Sequence, residues 1–247
     1  VVQCLRRAPT ARLVAAAQSD PVSGEVTGTR SLPVSPERAI RTGHWNKVPL
    51  IIGTTLDEAK LFEPPGLTGG QYVTAVRAEW GAHADAVLSL YPLSRYRSPF
   101  YALAAVDTDS QTACYSYWMA RETAPAVPTY EEEFDDPTSP TLTGFQPPGI
   151  DMSNAHTAEL AYLFAYSLAA RPLTAPELAL GARMDRYWGA FAATGDPTVP
   201  GQVPWPRRTA GDPRVIDLRT HGTAVSSTLF GSEHHCPFWA TLEHRSH

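Results

Sequence analysis

Val48-Pro-Leu-Ile-Ile52 is a short, uninterrupted apolar run closed by Gly53. It lacks the alternation of a strand with one wet face, so it reads as a strand buried on both faces. Such a strand needs cover on each side, which directs the chain toward a layered α/β architecture. Two further strands are expected. Thr129 to Phe134 lies between Pro128 and Pro137, and Val215 to Leu218 follows the turn Gly211-Asp-Pro213. Helical patterns fall between them at Gly81 to Leu90, Asp109 to Thr123, Thr157 to Leu168 and Pro176 to Ala193. In the last, Met184, Tyr187, Trp188 and Phe191 share one face, and Gly195 and Pro197 supply the stop. That stripe reads as core. The 23 prolines gather in connecting stretches such as Glu63-Pro-Pro-Gly and Gln146-Pro-Pro-Gly, and no repeat or linker divides the 247 residues.

Composition removes several functional classes. A hydrophobic share of 43% over this length builds a real core. The net charge of -5, with Lys and Arg spread thinly, lacks the footprint of a nucleic-acid or anionic-membrane binder. No apolar stretch approaches a bilayer span, and the N-terminal residues do not read as a signal peptide. Cys4, Cys114 and Cys236 have no metal-ligand spacing. Glu233-His234-His235-Cys236 offers adjacent ligands, which rarely converge on one ion, and no second ligand pair accompanies it; no metal is expected.

Two segments carry candidate chemistry. Glu58 stands just beyond the C-terminal end of the first strand, where open α/β sheets build their sites. A carboxylate there can fix the tautomer of a histidine and stabilise its imidazolium. His156 is the best candidate partner, held in a loop ahead of an amphipathic helix whose first turn contains Glu159. Taken singly, Asp57-Glu58 also reads as a solvated acidic turn and His156 as a structural histidine.

Four segments in order resemble the type-B carboxylesterase family of cholinesterases and para-nitrobenzyl-type esterases. They are Ile52-Gly-Thr-Thr-Leu-Asp-Glu58, His156-Thr-Ala-Glu159-Leu-Ala-Tyr-Leu-Phe164, Tyr187-Trp-Gly-Ala-Phe-Ala-Ala-Thr-Gly-Asp-Pro197 and Trp205-Pro206. The resemblance implies the C-terminal part of an α/β-hydrolase fold, a mixed central sheet flanked by helices, with residues 1–247 as the C-terminal half of one domain. It implies Glu58 as triad acid, His156 as general base and Glu159 as a supporting glutamate. Leu61 and Phe62 match positions that line the substrate gorge. Cys114 and Cys236 match a disulfide pair, and Cys4 matches one member of a second pair. Such bonds belong to a secreted or extracytoplasmic protein. Ala59 departs from the family by replacing the glycine that usually follows the acid.

A Gly-x-Ser-x-Gly elbow and the oxyanion-hole glycines are absent from the sequence. The resemblance therefore implies a serine esterase fragment, inactive alone, whose partner is the missing N-terminal half of the domain. Its substrate would be a small-molecule carboxylic ester, and it would need no cofactor. The alternative is a non-catalytic, cholinesterase-like adhesion domain, which has no use for both Glu58 and His156.

Overall fold

The structure is a computed structural model that describes residues 2–19, 26–141, 144–164, 169–226 and 230–243. The chain divides into two units, Val1–Asn46 and Lys47–His247. The first holds helices α1 (Val2–Arg7), α2 (Thr10–Ser19) and α3 (Pro36–Arg41). Ser35 caps α3 by accepting from the Arg38 amide, and Pro36 opens the helix at a position where no amide partner is needed.

The second unit is built on a four-stranded sheet in the order β1 (Leu50–Thr55), β2 (Thr129–Phe134), β3 (Val215–Leu218), β4 (Ala224–Ser226). The first three strands are parallel and β4 runs antiparallel to β3. Helices α4 (Gly69–Trp80), α5 (Ala84–Leu90), α6 (Pro99–Thr108) and α7 (Cys114–Thr123) follow β1. Helices α8 (Leu160–Phe164) and α9 (Ala175–Thr194) follow β2, and α10 (Phe230–Glu233) and α11 (Cys236–Glu243) close the unit.

Strand β2 explains the layering. Its side chains alternate between faces. Tyr130 and Phe134 join an apolar cluster with Tyr162, Leu180, Met184, Tyr187 and Trp205, beneath α8 and α9. The stripe expected of α9 is thus core, with Met184 and Tyr187 fully buried and Trp188 and Phe191 packed on its margin. The opposite face carries Thr129, Glu131 and Glu133, all buried. Both acids have cationic neighbours: Arg208 lies 3.3 Å from Glu131, and His234 lies 2.7 Å from Glu133. A third-layer cluster of Tyr72, Val76, Val87, Tyr91, Leu103 and Trp239 joins α4, α5, α6 and α11.

The boundaries follow local chemistry. Thr174 and Glu177 form a capping box at the start of α9, and Gly195, at φ 77°, ends it in the left-handed region that only glycine enters freely. The helix expected over Thr157 to Leu168 begins instead at Leu160, because Thr157 has φ 72° and cannot be helical; residues 165–168 lie outside the described segments. The stretch expected as one helix from Asp109 continues α6 through a π turn, Asp109–Ala113, into α7. The wider turn interrupts the helical register at the place where Asp109 meets His234. A disulfide joins Cys114 to Cys236 across 122 residues, tying α7 to α11. Cys4 is exposed and unbonded. Among the described residues no helix is long and apolar enough to cross a membrane.

Candidate active site

The loop that leaves β1 tightens at once into a short 3-10 turn, Glu58–Leu61. Its geometry turns the Glu58 carboxylate back toward its own strand. Oε1 accepts from the Thr55 amide at 2.8 Å and from Thr54 Oγ1 at 3.3 Å. That leaves Oε2 for a partner, and His156 Nδ1 occupies it at 2.5 Å, across 98 residues of sequence. Two ambiguous segments are thus one contact.

The two loops are also joined through their backbones. The Asp57 amide donates to Asn154 O at 3.0 Å, and the His156 amide donates to Glu58 O at 3.3 Å. Lys60, almost fully buried, adds a side-chain clasp: its Nζ meets Asp57 Oδ2 at 2.7 Å and donates to Ser153 O at 2.9 Å. The Ala59 amide donates to Thr108 Oγ1, which anchors the turn on α6. Ala59 itself is not in the left-handed region, so its methyl is accommodated where the family resemblance led to a glycine.

The histidine loop is shaped by unusual backbone. Asn154 and Thr157 flank His156 with φ of 57° and 72°. Asparagine tolerates that region, whereas a β-branched residue there is a true outlier. The Thr157 hydroxyl is also buried without a hydrogen-bond partner among the described residues. The result presents an imidazole whose side chain is 47% exposed, with its inner nitrogen committed to Glu58 and Nε2 left to exchange a proton.

Charge follows from this arrangement. Burial raises the Glu58 carboxyl, but hydrogen bonds from His156 and the Thr55 amide outweigh it and hold the group below its ordinary range. The hydrogen bond to Glu58 raises His156 above its ordinary value, against a smaller opposing effect of burial. Glu159 stands just ahead of α8. Burial and then the charge of Glu58 raise its carboxyl, and its Oε2 is buried without a partner among the described residues. Phe62 is exposed, with its ring centroid 5.3 Å from that of His156. Leu61 packs inward against Phe100, Met152 and Ala155.

A cavity of about 560 Å³ lies behind these loops, bordered by Asp57, Tyr91, Asp109, Glu133 and His234; neither Glu58 nor His156 lines it. Among the described residues no cluster of three or more His, Cys, Asp or Glu side chains could hold a metal ion. Sequence reasoning singled out Glu58 and His156 but missed Lys60 and Asn154. Their roles lie in contacts between distant loops, for which a local pattern carries no signal.

Comparison with known proteins places this geometry in context. The chain is 28% identical over 231 residues to acetylcholinesterase of Bungarus fasciatus, covering 84% of this chain and 37% of that protein. It is 26% identical over 256 aligned positions to fumonisin B1 esterase of Sphingopyxis macrogoltabida, covering 92% and 44% respectively. The chain therefore spans less than half the length of these relatives. The solved structure of a thermophilic PNB esterase shares the fold with a TM-score of 0.62 at 23% identity, over 83% of this chain and 41% of its own. The carboxylesterase family model matches residues 1–239, and on that match the chain belongs to the carboxylesterase family.

Proposed function

We propose that this chain supplies the acid and the general base of a carboxylic ester hydrolase, Glu58 and His156, with the nucleophilic serine and oxyanion hole contributed by sequence outside residues 1–247. The observation that carries this reading is the 2.5 Å contact between Glu58 Oε2 and His156 Nδ1. An imidazole held in this way carries its proton on Nδ1 and uses Nε2 as the base. His156 takes the serine proton as oxygen attacks the ester carbonyl, then returns it to the leaving alcohol. Water repeats the sequence to release the acid, while Glu58 stabilises the imidazolium each time.

The surroundings support the same reading. Among the described residues β1 has a strand on one side only, which leaves a place for a further parallel strand from the rest of a single α/β-hydrolase domain. Phe62 beside the imidazole, with Leu61 behind it, would line the substrate side, and Glu159 would support the pair from beneath. The Cys114–Cys236 bond favours an oxidising, extracytoplasmic compartment. Loss of the serine in such an enzyme costs about a millionfold in turnover, and much of the residual rate comes from the oxyanion hole and substrate binding. The 247-residue chain alone is expected to be inactive. Hydrolysis of para-nitrophenyl esters tests both statements: the full-length protein should turn over and lose activity in H156A, while the isolated chain should not turn over. Turnover by full-length H156A at the wild-type rate would sink the assignment.

A further inference from the structure

Glu132 is the one acid of β2 that the partners described so far leave unexplained. Its strand neighbours each have a cation in reach: Arg208 lies 3.3 Å from Glu131, without a hydrogen bond, and His234 lies 2.7 Å from Glu133. In register it faces Gly53 of β1 and Ile216 of β3, neither of which carries a charge. Its side chain folds across β1 into the space that a side chain at position 53 would fill, so that a Cβ on Gly53 would overlap Glu132 Oε1. Oε2 is buried and has no hydrogen-bond partner among the described residues.

The ionisable groups that weigh on Glu132 most are Glu159 from the histidine loop, Glu58 from the acid loop, and Glu133 and Glu131 from its own strand. None of the four is a cation. Glu58 has the His156 imidazole to offset its charge, and Glu132 has no such partner among the groups that weigh on it most.

Resting on the acid–base reading above, we propose that Glu132 is carried as the neutral acid, so that it lies over Gly53 without adding a second negative charge near Glu58. Burial, and then the surrounding carboxylates, push its carboxyl well above the ordinary range, which agrees with this placement. The consequence is kinetic. A general base must be free of its proton at the working pH, and every anion placed near His156 makes it hold that proton more tightly. A neutral Glu132 keeps the imidazole usable, and a glycine at position 53 gives it room to sit there.

The test needs no turnover. In the 247-residue chain at neutral pH, the infrared difference spectrum of wild type minus E132Q should contain one protonated-carboxyl carbonyl band, which disappears on raising the pH. The His156 titration followed by NMR should keep its midpoint in E132Q, because the amide replaces a group that is already neutral. In 13C-glutamate-labelled wild type, the Glu132 carboxyl carbon should report the protonated form at pH 7 and titrate at alkaline pH, which decides the matter even if E132Q folds poorly. A carboxylate signal for Glu132 at pH 7, or a tenfold weaker hold of His156 on its proton in E132Q, would overturn the proposal. Retained ester hydrolysis by full-length H156A would instead refute the acid–base reading and leave the infrared result standing.

Discussion

Replacing His234 by leucine should unlock the interior of this protein. The imidazole is 4% exposed and sits between two buried carboxylates, with Nδ1 2.6 Å from Asp109 Oδ1 and Nε2 2.7 Å from Glu133 Oε1. Both nitrogens act as donors, so the ring is an imidazolium. Burial opposes that charge, but the hydrogen bonds to Asp109 and Glu133 prevail and push the group up to about 10. Leucine fills similar space and offers no donor. Asp109 keeps the Tyr91 hydroxyl at 2.6 Å, while Glu133 loses its cation. Removing one partner of a buried ion pair costs about 3–5 kcal/mol, because the remaining charge is stranded. The rise from 6.5 to about 10 corresponds to a coupling of the same order, about 5 kcal/mol. In a unit of this size, each kcal/mol moves the melting temperature by about 2–4 °C. A fall of roughly 6–20 °C is therefore expected, measured by urea and thermal unfolding with the disulfide kept oxidised.

The pH dependence has a definite sign. A histidine whose folded value is raised contributes fully below its unfolded value of 6.5 and loses that contribution as pH rises toward 10. The gap between wild type and H234L should be widest near pH 6 and close by about pH 10. The variant H234L/D109N/E133L removes the stranded charges and should recover most of the loss. A gap under about 1 kcal/mol at pH 6, or one that does not narrow on raising the pH, would refute the reasoning.

Other substitutions probe the remaining contacts. In E58Q the imidazole loses its anionic partner, so the His156 midpoint measured by NMR should fall toward 6.5, and an unchanged midpoint would mean that Glu58 does not control it. Gly181 of α9 approaches α8 so closely that a Cβ would sit 2.7 Å from Tyr162 O. G181A gains up to about 1 kcal/mol of helix propensity but meets overpacking of about 1–3 kcal/mol, so chemical denaturation should show a net loss. Burial raises Glu177, yet hydrogen bonds from Arg171 and Thr174 outweigh it and lower the carboxyl to about 2. Its stabilisation is complete above 4.5 and fades as pH falls toward 2. R171M should therefore unfold at a higher pH than wild type in acid titration, and an identical acid midpoint would contradict that account.

Legibility in the sequence depended on how local each signal was. Strands β2 and β3 and helix α9 were readable nearly to their ends, because proline, glycine and apolar period all coincide at their borders. Helix α6 was not. Phe100, Ala102, Leu103, Ala104, Val106 and Thr108 are buried almost all round, so no amphipathic period marks it. Helix α4 was hidden for a different reason: it opens on two glycines, the weakest helix formers after proline. Glu58 and His156 are each ambiguous alone; position made them candidate partners and the ordered resemblance strengthened the pairing, but the contact itself spans 98 residues and no local pattern shows it. Glu233-His234-His235-Cys236 has the residue types of a metal site without its spacing. The true partners of His234 lie 125 and 101 residues away, at Asp109 and Glu133, beyond the reach of any motif.

Thr157 has a consequence for how this protein can change. A left-handed β-branched residue and a buried, unpartnered hydroxyl are two separate costs, each of order 1–3 kcal/mol. Asparagine or glycine would relieve the backbone cost. Selection for robustness alone would thus favour replacing Thr157, and a library screened only for heat resistance should enrich such replacements. Any one that also let the histidine loop relax would lengthen the reach to Glu58. Thr157, beside His156, is therefore a position where relief of backbone cost and the short reach from His156 to Glu58 pull in opposite directions.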